Sequence, residues 1–311
     1  MAKIIDGTRL GFRDGILELA GKRTDVVLVS CDSLKIMRAD PFKEQYSDRL
    51  FEVGIAEQNG VAFASGLACS GLMPYVISYA GFLTMRACEQ VRTFCAYPGL
   101  NVKLVGANGG MFGGGREGVT HQFYEDLGIL SSITGVTILM PADGAQTRKA
   151  VVAAADIPGV VYIRVGNGQE EKIHPDTEPF VPGKAKILAS EGKDVVIFSY
   201  GFTLGRCLRA AEELKKKGIG ATVVEVSSLR PFDTETVAKI INECERAITV
   251  EDHHVNGGLG SAVAAVAAER AIGPVKRLGL DRWPESGESE ALLDKYGMSV
   301  DVIVAAAAGL K

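Results

Sequence analysis

Short β-branched runs recur along this chain at intervals that leave room for one helix between neighbours, and this rhythm limits the possible folds more than any other feature. VVLVSC (26–31), FEVG (51–54), MPYVIS (73–78), VKLVGA (102–107), TILM (137–140) and VVYIRV (160–165) predict strands. Between them, residues 56–70, 81–96, 123–132 and 143–155 carry apolar positions at helical spacing. Strands that alternate with crossover helices pair in parallel, so the expected fold class is α/β, with mostly parallel sheets flanked by helices. The rhythm breaks in the polar, Pro- and Gly-bearing stretch from Asn167 to Gly192. It then restarts with VVIFSY (195–200), ATVVEV (221–226) and AITVE (247–251), separated by helical stretches at 203–217 and 234–244 and followed by another from about 259. A chain of 311 residues suits two domains. The expected boundaries are a first domain over 1–168, a linker over 169–191 and a second domain over 192–311.

Charge and cysteine usage narrow the function classes. A net charge of -4 gives no electrostatic footprint for nucleic acid, and no apolar run reaches the roughly 20 residues that span a bilayer. Nucleic acid and membrane are therefore not the expected partners. The N-terminal MAKIIDGTRLGFRDG has no signal-peptide core, and the six cysteines form no CxxC pair. Reduced thiols in a soluble, cytoplasmic protein are expected.

Several segments could carry chemistry. An ionised carboxylate at Glu57, between an apolar run and a helix start, must be exposed, paired or employed, because leaving water costs several kcal/mol. NGGMFGGGREG (108–118) follows a strand and could cradle a phosphate with its backbone N–H groups, although it has neither the P-loop lysine nor the GxGxxG spacing. NGGLGSAV (256–263) reads as a turn and helix start. VEDHHVN (250–256) puts Glu251, Asp252, His253 and His254 at a strand end, where alternate side chains face opposite ways, so no metal site is expected. His174 falls in the polar stretch and is assigned to solvent. His121 follows directly from the glycine cluster, where an imidazole could sit beside a bound anion.

Three separated segments agree on one family. FEVGIAEQ, YAGFLTMRACEQVR (79–92) and GGGREGVTHQFYED (113–126), in this order and spacing, resemble the pyrimidine-binding domain of transketolases, which are thiamine diphosphate enzymes. The resemblance runs on through VVEVSSLRPFD (223–233) and VEDHHVNGGLGSAV, which are similar to the family's C-terminal domain. It implies that Glu57 is catalytic, hydrogen-bonding the ring nitrogen of the cofactor's aminopyrimidine. It places Tyr79, Phe82, Met85 and Arg86 in the cofactor site, with Phe82 stacked on the pyrimidine. It makes His121 a second catalytic residue, in contact with the donor sugar and the reacting carbonyl. Arg9 and Arg164 match arginines that hold the substrate phosphate, a task suited to a guanidinium fork.

Some positions depart from the family pattern. Glu117 stands where relatives have aspartate, pushing a carboxylate toward the sugar hydroxyls. Asn108, or Gly109 in an alternative register, replaces a donor-holding histidine, and Ile36 takes the place of a phosphate-binding serine. An altered donor pocket is expected, favouring a ketose with an unusual or branched anionic end over xylulose 5-phosphate. The chain also carries no GDG motif of the kind that holds diphosphate and Mg2+. The resemblance therefore implies the C-terminal subunit of a split transketolase. An N-terminal, diphosphate-binding partner subunit would complete an α2β2 heterotetramer and hold the Mg2+, this chain supplying no metal ligand. The expected reaction moves a two-carbon ketol unit from a ketose, as a sugar phosphate, to an aldose. The alternatives are a deoxyxylulose-phosphate-synthase-like or 2-oxoacid dehydrogenase-like subunit, and a non-catalytic binding subunit.

Overall fold

A computed structural model describes residues 5–309. The chain divides into two compact units, one comprising residues up to Gly109 together with Ile129–Pro182, the other Gly110–Gly128 with the residues from Gly183 onward.

In the first unit six strands form parallel pairs: β1 (Val26–Ser30), β2 (Leu50–Glu52), β3 (Met73–Tyr79), β4 (Lys103–Ala107), β5 (Val136–Leu139) and β6 (Val160–Arg164). Their spatial order is β5-β6-β4-β3-β1-β2. Strands β1, β4 and β6 are buried along their whole length, as expected of parallel strands covered on both faces. Helix Thr8–Lys22, absent from the sequence expectation, packs against helix Gly144–Ala154 at very short range. A Cβ at Gly11 would stand 2.2 Å from the Gly144 carbonyl oxygen, so only glycine permits the approach.

The second unit builds a sheet in the order β12-β11-β8-β9-β7. Its strands are β7 (Ala185–Ser190), β8 (Val195–Ser199), β9 (Ala221–Val226), β11 (Ala247–His254) and β12 (Val275–Leu280), with the short β10 (Ser228–Arg230) following β9. Only β7 runs antiparallel to its sheet neighbour. Among the described residues, no helix is long and apolar enough to cross a membrane.

Two boundaries differ from the sequence expectation. The stretch 169–191 does not behave as a linker. Its first part is tied to the start of helix Thr8–Lys22 by Glu170, which accepts from the Thr8 backbone N–H at 2.8 Å and the Thr8 hydroxyl at 3.0 Å, while its last part forms β7. Segment 110–128, expected with the first domain, groups with the second unit, where backbone groups at both ends of it find partners. Asp252 accepts from the Met111 and Phe112 N–H groups, both at 2.9 Å, and the Tyr124 carbonyl accepts from the His254 N–H at 2.7 Å. The helix expected over 123–132 is confined to Asp126–Ser131.

Candidate active site

Parallel strands present their carboxyl ends along one edge of a sheet, where α/β folds place their ligands. Ser78 on β3 pairs across the ladder with Gly106 on β4, and Gly106 with Arg164 on β6, so three neighbouring strands end within one residue of a shared rung. Most of the residues singled out from the sequence in this unit lie at or just beyond these ends.

Glu57 opens helix Glu57–Cys69 and is 1% exposed. The helix reaches close to β1 because Gly60 has no side chain: a Cβ there would meet the Cys31 sulfur at 2.7 Å. Burial pushes the Cys31 thiol up to about 12, so it stays protonated. A glutamate in a first turn commonly serves the helix dipole, but the oxygens of Glu57 accept from side chains: Oε1 from the Ser78 hydroxyl at 2.8 Å and Oε2 from Arg86 at 2.6 Å.

Arg86 closes a π-helical turn, Phe82–Arg86, a local distortion often found at functional sites. The turn folds the Arg86 guanidinium over the Phe82 ring, 3.9 Å from its centroid. Tyr79 meets Phe82 edge to face, with centroids 5.6 Å apart. Met85 in the same turn is exposed. The structure thus brings Glu57, Tyr79, Phe82 and Arg86 into one cluster. Ser78, which positions the Glu57 carboxylate, carried no sequence signal beyond its place at a strand end.

A second cluster lies at the ends of β4 and β6. Arg9, at the start of helix Thr8–Lys22, donates from Nε to the Gly166 carbonyl at 3.1 Å and from its terminal nitrogen to Asn108 Oδ1. Asn108 is fully buried in a left-handed conformation (φ 57°), and its Nδ2 has no hydrogen-bond partner among the described residues. Arg9 and Arg164 are each 7% exposed. Gly109 leaves room for Arg164, whose Cγ would lie 2.5 Å from a Cβ at that position.

Glu117 and His121 lie on segment 110–128. Glu117 is exposed, and His121 is half-buried with its Nδ1 3.0 Å from the Thr120 hydroxyl. Ile36 packs against the first unit's apolar core, which accounts for an apolar residue there.

Other sequence candidates have structural roles. The Glu251 carboxylate accepts from the Leu259 and Gly260 N–H groups, each at 2.8 Å, capping helix Leu259–Arg270. Its neighbour Asp252 points the other way along the strand and holds segment 110–128. His253 Nε2 accepts from the Gly128 N–H at 3.2 Å. His174, assigned to solvent from the sequence, is instead buried, with Nδ1 3.0 Å from Asp143 Oδ2. Burial pushes the Asp143 carboxyl up, but the His174 side chain and the backbone N–H groups of His174 and Gln146 outweigh it and hold the group below its ordinary 3.8. Among the described residues, no group of three or more His, Cys, Asp or Glu is placed to hold a metal ion.

Comparison with known proteins decides the family. Residues 7–169 match the transketolase pyrimidine binding domain, and residues 183–303 match the transketolase C-terminal domain. This chain belongs to the transketolase family. A 6-deoxy-6-sulfo-D-fructose transketolase subunit from Clostridium sp. (strain MSTE9) is 37% identical over 295 residues, which is 94% of this chain and 91% of the relative. An apulose-4-phosphate transketolase subunit from Phocaeicola vulgatus is 36% identical over 305 residues, covering 97% of each chain. A solved split gene transketolase, described as an inactive beta4 tetramer, superposes with a TM-score of 0.89 at 35% identity, covering 98% of each chain. The chain is a transketolase-type transferase subunit, of the kind encoded separately from its partner.

Proposed function

We propose that this chain supplies the pyrimidine-binding half of a thiamine diphosphate site in a split transketolase. A separate diphosphate-binding subunit holds the diphosphate and Mg2+, in an α2β2 heterotetramer that works in the cytoplasm. The observation that carries the proposal is the pairing of a 1%-exposed carboxylate, Glu57, with the ring of Phe82. A flat guanidinium bonds the one and covers the other. A hydrogen-bonding acid next to an aromatic face is the donor set that suits a planar nitrogen heterocycle, so these residues fit an aminopyrimidine.

When bound, thiamine diphosphate supplies the carbanion stabilisation that carbon–carbon transfer requires. Glu57, oriented by the Ser78 hydroxyl, bonds the pyrimidine ring nitrogen, and Phe82 and Tyr79 wall the ring, with Met85 at the rim. His121 exchanges a proton with the donor's carbonyl oxygen. On the family resemblance, Arg9 and Arg164 would hold the anionic end of a ketose and Glu117 would bond its hydroxyls, while Asn108 Nδ2, unpartnered among the described residues, would supply one further donor.

Anionic ketoses are the expected donors, in line with two relatives named for a sulfo sugar and a sugar phosphate. Co-purification with the diphosphate-binding subunit, followed by specificity constants over a panel of ketose phosphates and sulfonates with an aldose acceptor, tests the proposal. A pair that releases carbon dioxide from pyruvate instead would favour the alternative of a deoxyxylulose-phosphate-synthase-like or 2-oxoacid dehydrogenase-like subunit. Xylulose 5-phosphate as best donor by a wide margin would show that the substitutions at Asn108, Glu117 and Ile36 are neutral.

A further inference from the structure

The two groups assigned above to the pyrimidine are both engaged by one side chain of the same subunit. Arg86 donates to Glu57 Oε2 at 2.6 Å and lays its guanidinium carbon 3.9 Å above the Phe82 centroid. A guanidinium is flat, hydrogen-bonding and attracted to aromatic faces, so it satisfies the same two partners that an aminopyrimidine would use. An aminopyrimidine that used this same carboxylate oxygen and this same ring face would compete with Arg86 for them. The two partners differ in mobility. Glu57 is fixed by burial and by the Ser78 hydroxyl, whereas the Arg86 side chain is 43% exposed and sits on a flexible stem.

We propose that Arg86 is an ionic plug: in the cofactor-free subunit it occupies the place of the aminopyrimidine, and it swings toward solvent when the cofactor enters. The plug removes a cost that the empty site would otherwise carry, because a buried carboxylate without a counter-charge is strongly unfavourable. It also makes cofactor affinity a difference between two bound states, so that breaking the Glu57–Arg86 pair subtracts from the gain of binding. The proposal rests on Glu57 being the pyrimidine's partner.

The test is calorimetric titration of thiamine diphosphate, at saturating Mg2+, into the pair formed by this chain and its diphosphate-binding subunit. Arg86→Leu keeps an apolar cover on Phe82 and removes the competing charge. The expected result is affinity about tenfold tighter than wild type, equivalent to about 1.4 kcal/mol. Arg86→Lys keeps the charge without the flat stacking surface and gives a smaller gain in the same direction. In a Glu57→Gln background the plug has lost its charged partner, so Arg86→Leu changes affinity less than about twofold. Equal or weaker binding by Arg86→Leu in the wild-type background would overturn the plug and make Arg86 an ordinary binding residue. Failure of the wild-type pair to bind thiamine diphosphate at all would overturn the cofactor assignment, and the plug with it.

Discussion

Replacing Asp252 with alanine tests how the segment carrying Glu117 and His121 is held. The carboxylate is 4% exposed and receives two backbone N–H groups, Met111 to Oδ1 and Phe112 to Oδ2, both at 2.9 Å. Hydrogen bonds to a charged group are worth about 1.5–3 kcal/mol each, which gives about 3–6 kcal/mol for the two. Removing the carboxylate also removes the cost of having buried it, which brings the expected loss to the lower end, about 3 kcal/mol. Local opening of the segment then becomes about 100-fold more frequent, at 1.4 kcal/mol per factor of ten. Native-state hydrogen exchange of the Met111 and Phe112 amides reads this directly. The Leu259 and Gly260 amides, which donate to the neighbouring Glu251, serve as the internal control and keep wild-type rates. Asp252→Asn retains one acceptor oxygen and recovers about half of the loss in free energy. Unchanged exchange at residues 111–112, or equal acceleration across the whole second unit, would refute the claim that this one side chain anchors the segment.

Further outcomes concern the site and the chain's acid sensitivity. Glu57→Gln in the reconstituted pair lowers turnover by about 100- to 10,000-fold, the usual worth of a general acid–base group, and a change under about threefold would leave Glu57 a structural residue. The chain without its partner shows no ketol transfer and binds thiamine diphosphate weakly, and tight Mg2+-dependent binding by the isolated chain would contradict a divided site. Asp143 has a folded-state pKa below its ordinary 3.8, so the stability it contributes is full above that value and is lost as pH falls through the lower, folded one. Asp143→Asn therefore flattens the acid limb of a melting-temperature profile below about pH 4 while lowering stability near neutrality, and an unchanged acid limb would discount the Asp143–His174 contact.

The parallel sheets were legible in the sequence because strands buried on both faces read as continuous β-branched runs, as in VVLVS and VVYIR. Helix Thr8–Lys22 was not legible. Its burial rests on glycines at positions 11 and 15 and on the remote anchor Glu170, so no clean apolar stripe marks it. The grouping of segment 110–128 was hidden for a related reason, since the acceptor for the Met111 amide lies 141 residues further along the chain. His174 looked solvated because its neighbours are polar, yet the carboxylate that buries it is Asp143, 31 residues away. Around the candidate site, Glu57, Tyr79, Phe82 and Arg86 could be singled out from the sequence, but not the contact between Glu57 and Arg86. That contact follows from a π-helical turn that no residue pattern announces.

The shared rung of Ser78, Gly106 and Arg164 has a consequence for how such an enzyme can change its substrate. Side chains borne on a ladder cannot be moved singly along it, because a slip of one residue would turn every neighbour to the opposite face. Ser78, which bonds Glu57, and Arg164, proposed to hold an anion, are therefore locked to a common frame. The first residue past β4, Asn108, stands outside that lock and can be exchanged while the frame stays still. New donor sugars would then be acquired by editing the residues just beyond the strands, leaving the cofactor's half of the site in place.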